Sequence, residues 1–413
     1  MTLTAYVNAR LIDPKSKMDI PGSLLINGSL IAALGENIDI PESAEIIDCK
    51  GKVLSPGFID MRAFSVDWEA AAAGGITTVI LQPDQTTLID NDAAVERIRA
   101  RAKERATVNV IPMGTATKAM DGQEITEIGQ MLESGAVAFT DCRKPVEDAQ
   151  ILKRLMEYAS YYDALIVQFA EEQSLKADGI AHDGGIASRL GLTGIPSIAE
   201  QIQIERDARL AEHTNSRLHV ALVSSREGVE AVREAKARGV KITCSIAPHY
   251  LHLNEHALEG YPTFAKVSPP FRTEEDRLAL LAALADGTVD TIVSDHDPKN
   301  PDLKRLPFGQ AASGVSGYET LLPLSLKPVQ EGTMSLLDLI AKLTSGPASL
   351  LKLDSGHLSI GAQADLTIFD PEQPWIIKRN QLKASATNTP FDTLPVNGKV
   401  WKTIVAGHEI YSA

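Results

Sequence analysis

Residues 57–81 read GFIDMRAFSVDWEAAAAGGITTVIL, and this stretch decides the fold. Gly57 to Met61 is a short apolar run of strand length. Asp67 and Trp68 then lead into an alanine-rich segment of high helix propensity. Gly74-Gly75 stops that helix, and the β-branched run Thr77 to Leu81 begins a second strand. Strand, helix and strand within so few residues make a βαβ unit, whose strands must run parallel.

Working outward, the same alternation continues. Further candidate strands are Asn109 to Met113, Ala136 to Thr140, Ala164 to Phe169, Leu218 to Val223, Lys241 to Ile246 and Thr291 to Ser294. With the first two they make eight, the number that closes a (β/α)8 barrel. Between them, Asn91 to Arg105, Glu147 to Tyr161, Ile198 to His213, Glu227 to Arg238 and Glu274 to Ala285 carry apolar residues at three- and four-residue spacing. Thr273 before Glu274, Glu275 and Asp276 is a strong helix start. An open doubly wound sheet competes with the barrel, but no GxGxxG follows an early strand.

Both ends have a different texture. Ala5 to Val7, Arg10 to Ile12, Ser23 to Ile26, Leu30 to Leu34 and Glu45 to Ile47 are short strands separated by turns such as Asn27-Gly28. Asp365 to Phe369, Trp375 to Ile377 and Lys399 to Val405 repeat the pattern near the other end. The expected organisation is a small β-sandwich domain built from both termini, 1–54 plus 357–413, around a barrel domain at 55–356.

Composition narrows the function classes. Among 413 residues, 44% are hydrophobic and 23% charged, as in ordinary globular proteins. A formal charge of −14 argues against nucleic acid, whose phosphates require clustered Lys and Arg. No apolar run reaches the roughly 18 residues of a membrane span. Met1 to Arg10 has neither a basic leader nor a long apolar stretch, so a cytoplasmic location is expected. Cys49, Cys142 and Cys244 are too few and too widely spaced for a disulfide framework or a metal knuckle, and are expected to be buried.

Several segments carry a family resemblance in their chain order. They are Pro56 to Asp60 (PGFID), Ala70 to Val79 (AAAAGGITTV), Gly135 to Asp141 (GAVAFTD), Arg189 to Pro196 (RLGLTGIP), Ala265 to Arg272 (AKVSPPFR), Gly361 to Asp370 (GAQADLTIFD) and Asn388 to Phe391 (NTPF). Together they resemble the dihydroorotases of the amidohydrolase superfamily over essentially the whole chain. The resemblance implies a TIM-type amidohydrolase barrel with its site at the carboxyl ends of the strands. The implied chemistry is reversible cyclisation of N-carbamoyl-aspartate to dihydroorotate, with zinc to generate hydroxide and polarise the carbonyl.

The positions where the family carries ligands read differently here. Arg62 and Phe64 stand at the His-X-His pair after the first strand, and the loop that should follow is shortened. Phe169 stands for the His at the end of strand five, and Leu222 for the one ending strand six. His219, an odd offset away, should face the other side of its strand. Asp295 matches the family's catalytic Asp, Lys299 replaces a His that grips the substrate carboxylate, and Asp141 stands among the strand-four acids. Pro83-Asp84 stands for Pro-Asn. His249 and His252 have a spacing that suits a metal on a helix but lack an evident carboxylate partner.

Two remaining acids, Asp141 and Asp295, do not build a catalytic zinc site. The expectation is therefore a dihydroorotase-like pseudoenzyme with no cofactor, in which Asp295 is an inactive relic. Arg62 is expected to pair with Asp295 or Asp141 where the metal would sit. By the resemblance, such a chain is a homodimer and serves as an assembly partner of aspartate carbamoyltransferase. Two alternatives stand beside it: a residual or active dihydroorotase, and a sensor in which Arg62 and Lys299, with Lys266 and Arg272, hold a small anion.

Overall fold

A computed structural model describes residues 3–105 and 107–413. Met1 and Thr2, part of the N-terminal segment read above for a leader, lie outside the described residues. Phe58–Ala63, Ile76–Leu81 and Asn109–Pro112 form one parallel arc. Leu165–Gln168, Arg217–Val220, Ile242–Ile246 and Thr291–Ile292 form a second. Single parallel bridges join them: Phe139 pairs with Gly114 on one side and Ile166 on the other, and His296 pairs with Ala63. The segments thus run in one ring, and the fold is a (β/α)8 barrel with a small β-sandwich domain.

The expected strand Ala136 to Thr140 is the exception in form. Only Phe139 makes strand bridges, through amide bonds from Phe139 to the Leu165 carbonyl (3.0 Å) and from Val167 to the Phe139 carbonyl (2.8 Å). Gly135 before it adopts φ +102°, so the chain enters the ring from a turn and leaves little length for a ladder.

The helices follow the apolar spacing. Asp92–Arg105, Ala149–Tyr161, Ile198–Thr214, Arg226–Ala237 and Glu274–Ala285 cover the barrel. Several of their starts are capped by side chains: Asp148 accepts from the amides of Gln150 and Ile151, Ser225 from that of Gly228, and Thr273 forms a capping box with Asp276. Leu321–Ser325, Leu336–Leu343 and Ser345–Leu351 add helices that the sequence reading did not anticipate. No helix among the described residues is long and apolar enough to cross a membrane.

The terminal strands form one sheet of eight, with Leu3–Asp13 near its centre. The two short runs expected at Ala5 to Val7 and Arg10 to Ile12 are one strand, kinked by a bulge between Tyr6 and Ala9 where Asn8 takes φ +53°. Val53–Pro56 pairs with Leu3–Asp13 on one side and with Leu366–Ile376 on the other, which splices the two ends of the chain into the same layer. Tyr6, Leu11, Leu24, Ile31, Leu54, Leu366 and Ile404 belong to a core separate from the barrel's own.

Two glycines of the opening stretch allow close approaches, one within the barrel and one to this sheet. A Cβ on Gly57 would lie 2.1 Å from Thr77 Oγ1 of the next barrel strand, and one on Gly75, whose φ is +80°, would lie 2.6 Å from Thr367 Cγ2 of the sheet. Across that contact Thr367 Oγ1 donates to the Gly75 carbonyl and Thr403 Oγ1 to that of Ala72.

Candidate active site

Ring closure brings the first and eighth strand ends together. The Phe64 amide donates to the His296 carbonyl at 2.9 Å, and the buried Asp60 carboxylate accepts from the Ser294 amide at 2.8 Å. Burial raises the Asp60 carboxyl to about 6, the Ser294 bonds holding it back. Just beyond this staple, Arg62 Nε donates to Asp295 Oδ1 at 2.9 Å. The two side chains are 4% and 6% exposed, so the pair is buried.

Arg62 is enclosed on several sides. Its Nη1 reaches the Cys142 carbonyl at 3.5 Å, and its guanidinium carbon lies 5.0 Å from the Phe64 ring centre and 5.5 Å from that of Phe169. Both partners of Arg62 lie on residues in the left-handed region, Asp295 at φ +50° and Cys142 at φ +60°. Burial raises the Asp295 carboxyl to about 6, with Arg62 pulling it back down.

Asp141 does not join this pair. It turns away to the loop after the third strand, where its carboxylate accepts from the amides of Ala116 and Thr117, both at 3.0 Å, and from Thr117 Oγ1 at 2.6 Å. The left-handed turn at Cys142 sends the next residue, Arg143, the other way, over the mouth. Its guanidinium carbon sits 3.7 Å from the Phe64 ring centre, with Nε 3.1 Å from Asp84 Oδ2 and Nη1 2.7 Å from Asp297 Oδ2. Burial opposes the charge on Arg143, and Asp297, Asp84 and Asp295 together outweigh it, raising its pKa. Lys299 Nζ holds the other oxygen of Asp297 at 2.7 Å.

Arg143 and Asp297 were not singled out from the sequence, and Asp84 was noted only for its place after Pro83. Their convergence depends on loops after the second, fourth and eighth strands meeting, which no spacing along the chain records. The one available signal was that each lies within a few residues of a predicted strand's carboxyl end.

Other candidates are placed elsewhere. Leu222 is buried in the barrel core. His219 hydrogen-bonds Thr243 Oγ1 at 2.8 Å and, with Gln82 and Ser245, lines a small cavity adjoining Arg62. Burial lowers it to about 3, so it is neutral there. His249 packs between Tyr250 and Phe271, while His252 contacts the Leu324 carbonyl at 2.8 Å. The two histidines therefore serve different neighbours. His296 accepts on Nδ1 from the Gly317 amide, which leaves the proton on Nε2, facing Asp67, and its ring stacks on Tyr318 at 3.7 Å.

Two cations proposed for the barrel mouth are not available to it. Lys266 spends its ammonium on the carbonyls of Phe308 and Gly309, at 2.7 and 2.9 Å. Arg272 is buried on Ser224, 2.8 Å from its Oγ, and on Glu200, 3.6 Å away. Cys49, Cys142 and Cys244 are buried and unpaired, as expected.

The chain was compared with known proteins. A family model described as "Dihydro-orotase-like" matches residues 51–228, and one described as "Amidohydrolase family" matches 327–411. A dihydroorotase from Syntrophotalea carbinolica is 42% identical, covering 98% of both chains. One from Anaplasma phagocytophilum is 40% identical over 99% of this chain and 95% of its own. Among solved structures, an L-hydantoinase (dihydropyrimidinase) from Arthrobacter aurescens superposes with a TM-score of 0.88 at 26% identity, covering 100% of this chain and 96% of that one. A dihydropyrimidinase from Brevibacillus agri, at 22% identity, a TM-score of 0.84 and coverage of 100% and 95%, shares the fold.

These relatives correct three expectations. The reading as a noncatalytic pseudoenzyme is overturned, because proteins about 40% identical from end to end are named dihydroorotases. The reading as probably no enzyme falls with it. The frame and Asp295 are retained although the family's ligands are not. The expectation of no cofactor is corrected as well, since the family's enzymes depend on a metal, zinc.

The side chains at the strand ends do not fit that zinc in the family's manner. Arg62 occupies the Asp295 carboxylate, Phe64 and Phe169 offer no donor atom, and among the described residues no three His, Cys, Asp or Glu converge as a metal site. The ordered segments, the barrel with its two-ended sheet and the full-length identity lead to one conclusion: the chain belongs to the dihydroorotase family of the amidohydrolase superfamily.

Proposed function

We propose that the chain is a dihydroorotase, interconverting N-carbamoyl-aspartate and dihydroorotate at the carboxyl ends of its barrel strands. The observation that carries this reading is the end-to-end identity of 42% with a dihydroorotase. In the ring-opening direction an amide is hydrolysed, so a proton must leave the attacking water and reach the departing nitrogen. Asp295 is the group suited to that transfer. It lies at the eighth strand end, its Oδ1 is held by Arg62 Nε, and a carboxyl at about 6 exchanges protons readily near neutral pH.

A cytoplasmic location, a homodimer and aspartate carbamoyltransferase as a partner are proposed separately from the activity, on the family resemblance alone. Co-purification with that enzyme and the mass of the native particle test the last two.

The activity is tested by following dihydroorotate in both directions with the purified chain, as isolated and after dialysis against zinc. Turnover is expected, with a drop of at least about 100-fold in Asp295→Asn. Absence of turnover in either direction under both conditions would overturn the proposal.

A further inference from the structure

Arg143 differs from the other cations around the barrel mouth. Lys266 and Arg272 are spent on interior partners, and Arg62 is closed in by Asp295, Cys142, Phe64 and Phe169. Arg143 keeps 39% of its side chain exposed. The guanidinium is nevertheless fixed. One face lies on Phe64, Nε donates to Asp84 and Nη1 lies in an ion pair with Asp297, while neither Nη1 nor Nη2 makes a hydrogen bond among the described residues.

Lys299 completes the arrangement. Its ammonium and the Arg143 guanidinium each lie 2.7 Å from a different oxygen of Asp297, a carboxylate only 5% exposed. Two cations therefore straddle one buried carboxylate, their own side chains 39% and 21% exposed. A guanidinium fork with a free N–H edge beside an ammonium is complementary to a second carboxylate arriving from outside. Preorganisation matters here, because Phe64, Asp84 and Asp297 have already met the entropy of fixing a long side chain.

We propose that Arg143, assisted by Lys299, is the carboxylate-binding subsite of this barrel, taking the carboxylate of a small ureido acid or of its cyclised form. The inference rests on the proposed function for the identity of the ligand, and on the geometry for the residues. Phe64 gains a role in it as the platform on which Arg143 lies. Asp84 and Asp297 act as positioning residues that aim the guanidinium.

Calorimetric titration with N-carbamoyl-L-aspartate, dihydroorotate and uncharged dihydrouracil tests this on the full chain. Arg143→Gln should weaken both carboxylates about tenfold or more and leave dihydrouracil unchanged. Arg143→Lys, which keeps the charge but loses the fork, should fall between, and melting curves of both variants check that they fold. Equal affinity of wild type and Arg143→Gln for the carboxylates would overturn the proposal, as would parallel weakening of dihydrouracil. Binding through Arg143 without turnover would remove the proposed function and leave this subsite standing. Turnover with an unaltered KM in Arg143→Gln would do the reverse.

Discussion

Two buried arginine–carboxylate pairs occupy neighbouring parts of this barrel, and they are built on opposite plans. Glu200 lies with Arg272 at 3.6 Å, and both side chains are 1% exposed. Its carboxylate also accepts from the amides of Ser224 and Ser225 and from both serine hydroxyls. Asp295 takes one hydrogen bond from Arg62 and sits beside further charges whose partners are incomplete, with Asp84 Oδ1 buried and unpartnered. A fully satisfied network fixes structure, whereas one with spare capacity is kept for something that arrives.

The contrast is broken most forcefully at the satisfied end. Glu200→Ala strands Arg272 in the interior and should cost about 3–5 kcal/mol in urea unfolding. A loss below about 1 kcal/mol would mean that the pair does not carry the interior there.

Next in size is the pH dependence of Asp295. Its carboxyl is raised to about 6 in the fold, against roughly 3.9 in an unfolded chain. The folded state then binds more protons between those values, so the group favours folding below pH 4 and that contribution is lost as pH rises to 6. Two units correspond to roughly 3 kcal/mol. Asp295→Asn should flatten the stability curve across this window, and an unchanged slope would show that the group is not raised.

Arg62→Met should cost about 2 kcal/mol at pH 7 and less at pH 5, because Asp295 can escape a missing partner by taking a proton. An equal cost at both pH values would contradict the charge pairing. The smallest effect belongs to the outer control, Arg10 with Asp19, where the side chains are 45% and 33% exposed. Arg10→Ala should change stability by less than about 1 kcal/mol and lose even that in high salt.

Much of the frame was legible in the sequence for a physical reason. Strands such as Ile76–Leu81 and helices such as Glu274–Ala285 announce themselves through local periodicity and caps, which need no knowledge of the rest of the chain. Substitutions at family positions, Arg62, Phe64, Phe169 and Leu222, could likewise be read singly. The site could not be read in that way. Asp141 turns away because Ala116 and Thr117 offer amides there, and Arg143, after Cys142 at φ +60°, lies over the mouth. A backbone sign change at one residue decides which neighbour faces the mouth, and composition does not encode it. Lys266 and Arg272 show the same limit from the other side, since their partners lie tens of residues away. The step from lost ligands to lost activity failed for a further reason, because function was inferred from what was missing.

The sheet that joins both ends of the chain has a consequence for how the protein is made. Pro56 pairs with Leu366 and Val53 with Phe369, partners separated by some three-quarters of the polypeptide. On the ribosome, the first strands therefore emerge long before the strand that completes their layer, and Val53–Pro56 keeps an open edge throughout synthesis of the barrel. Such non-local pairing is slow to close and exposed to misassembly in the meantime. The sequence meets that interval with a short edge of four residues that ends in Pro56, which has no amide to offer a stranger.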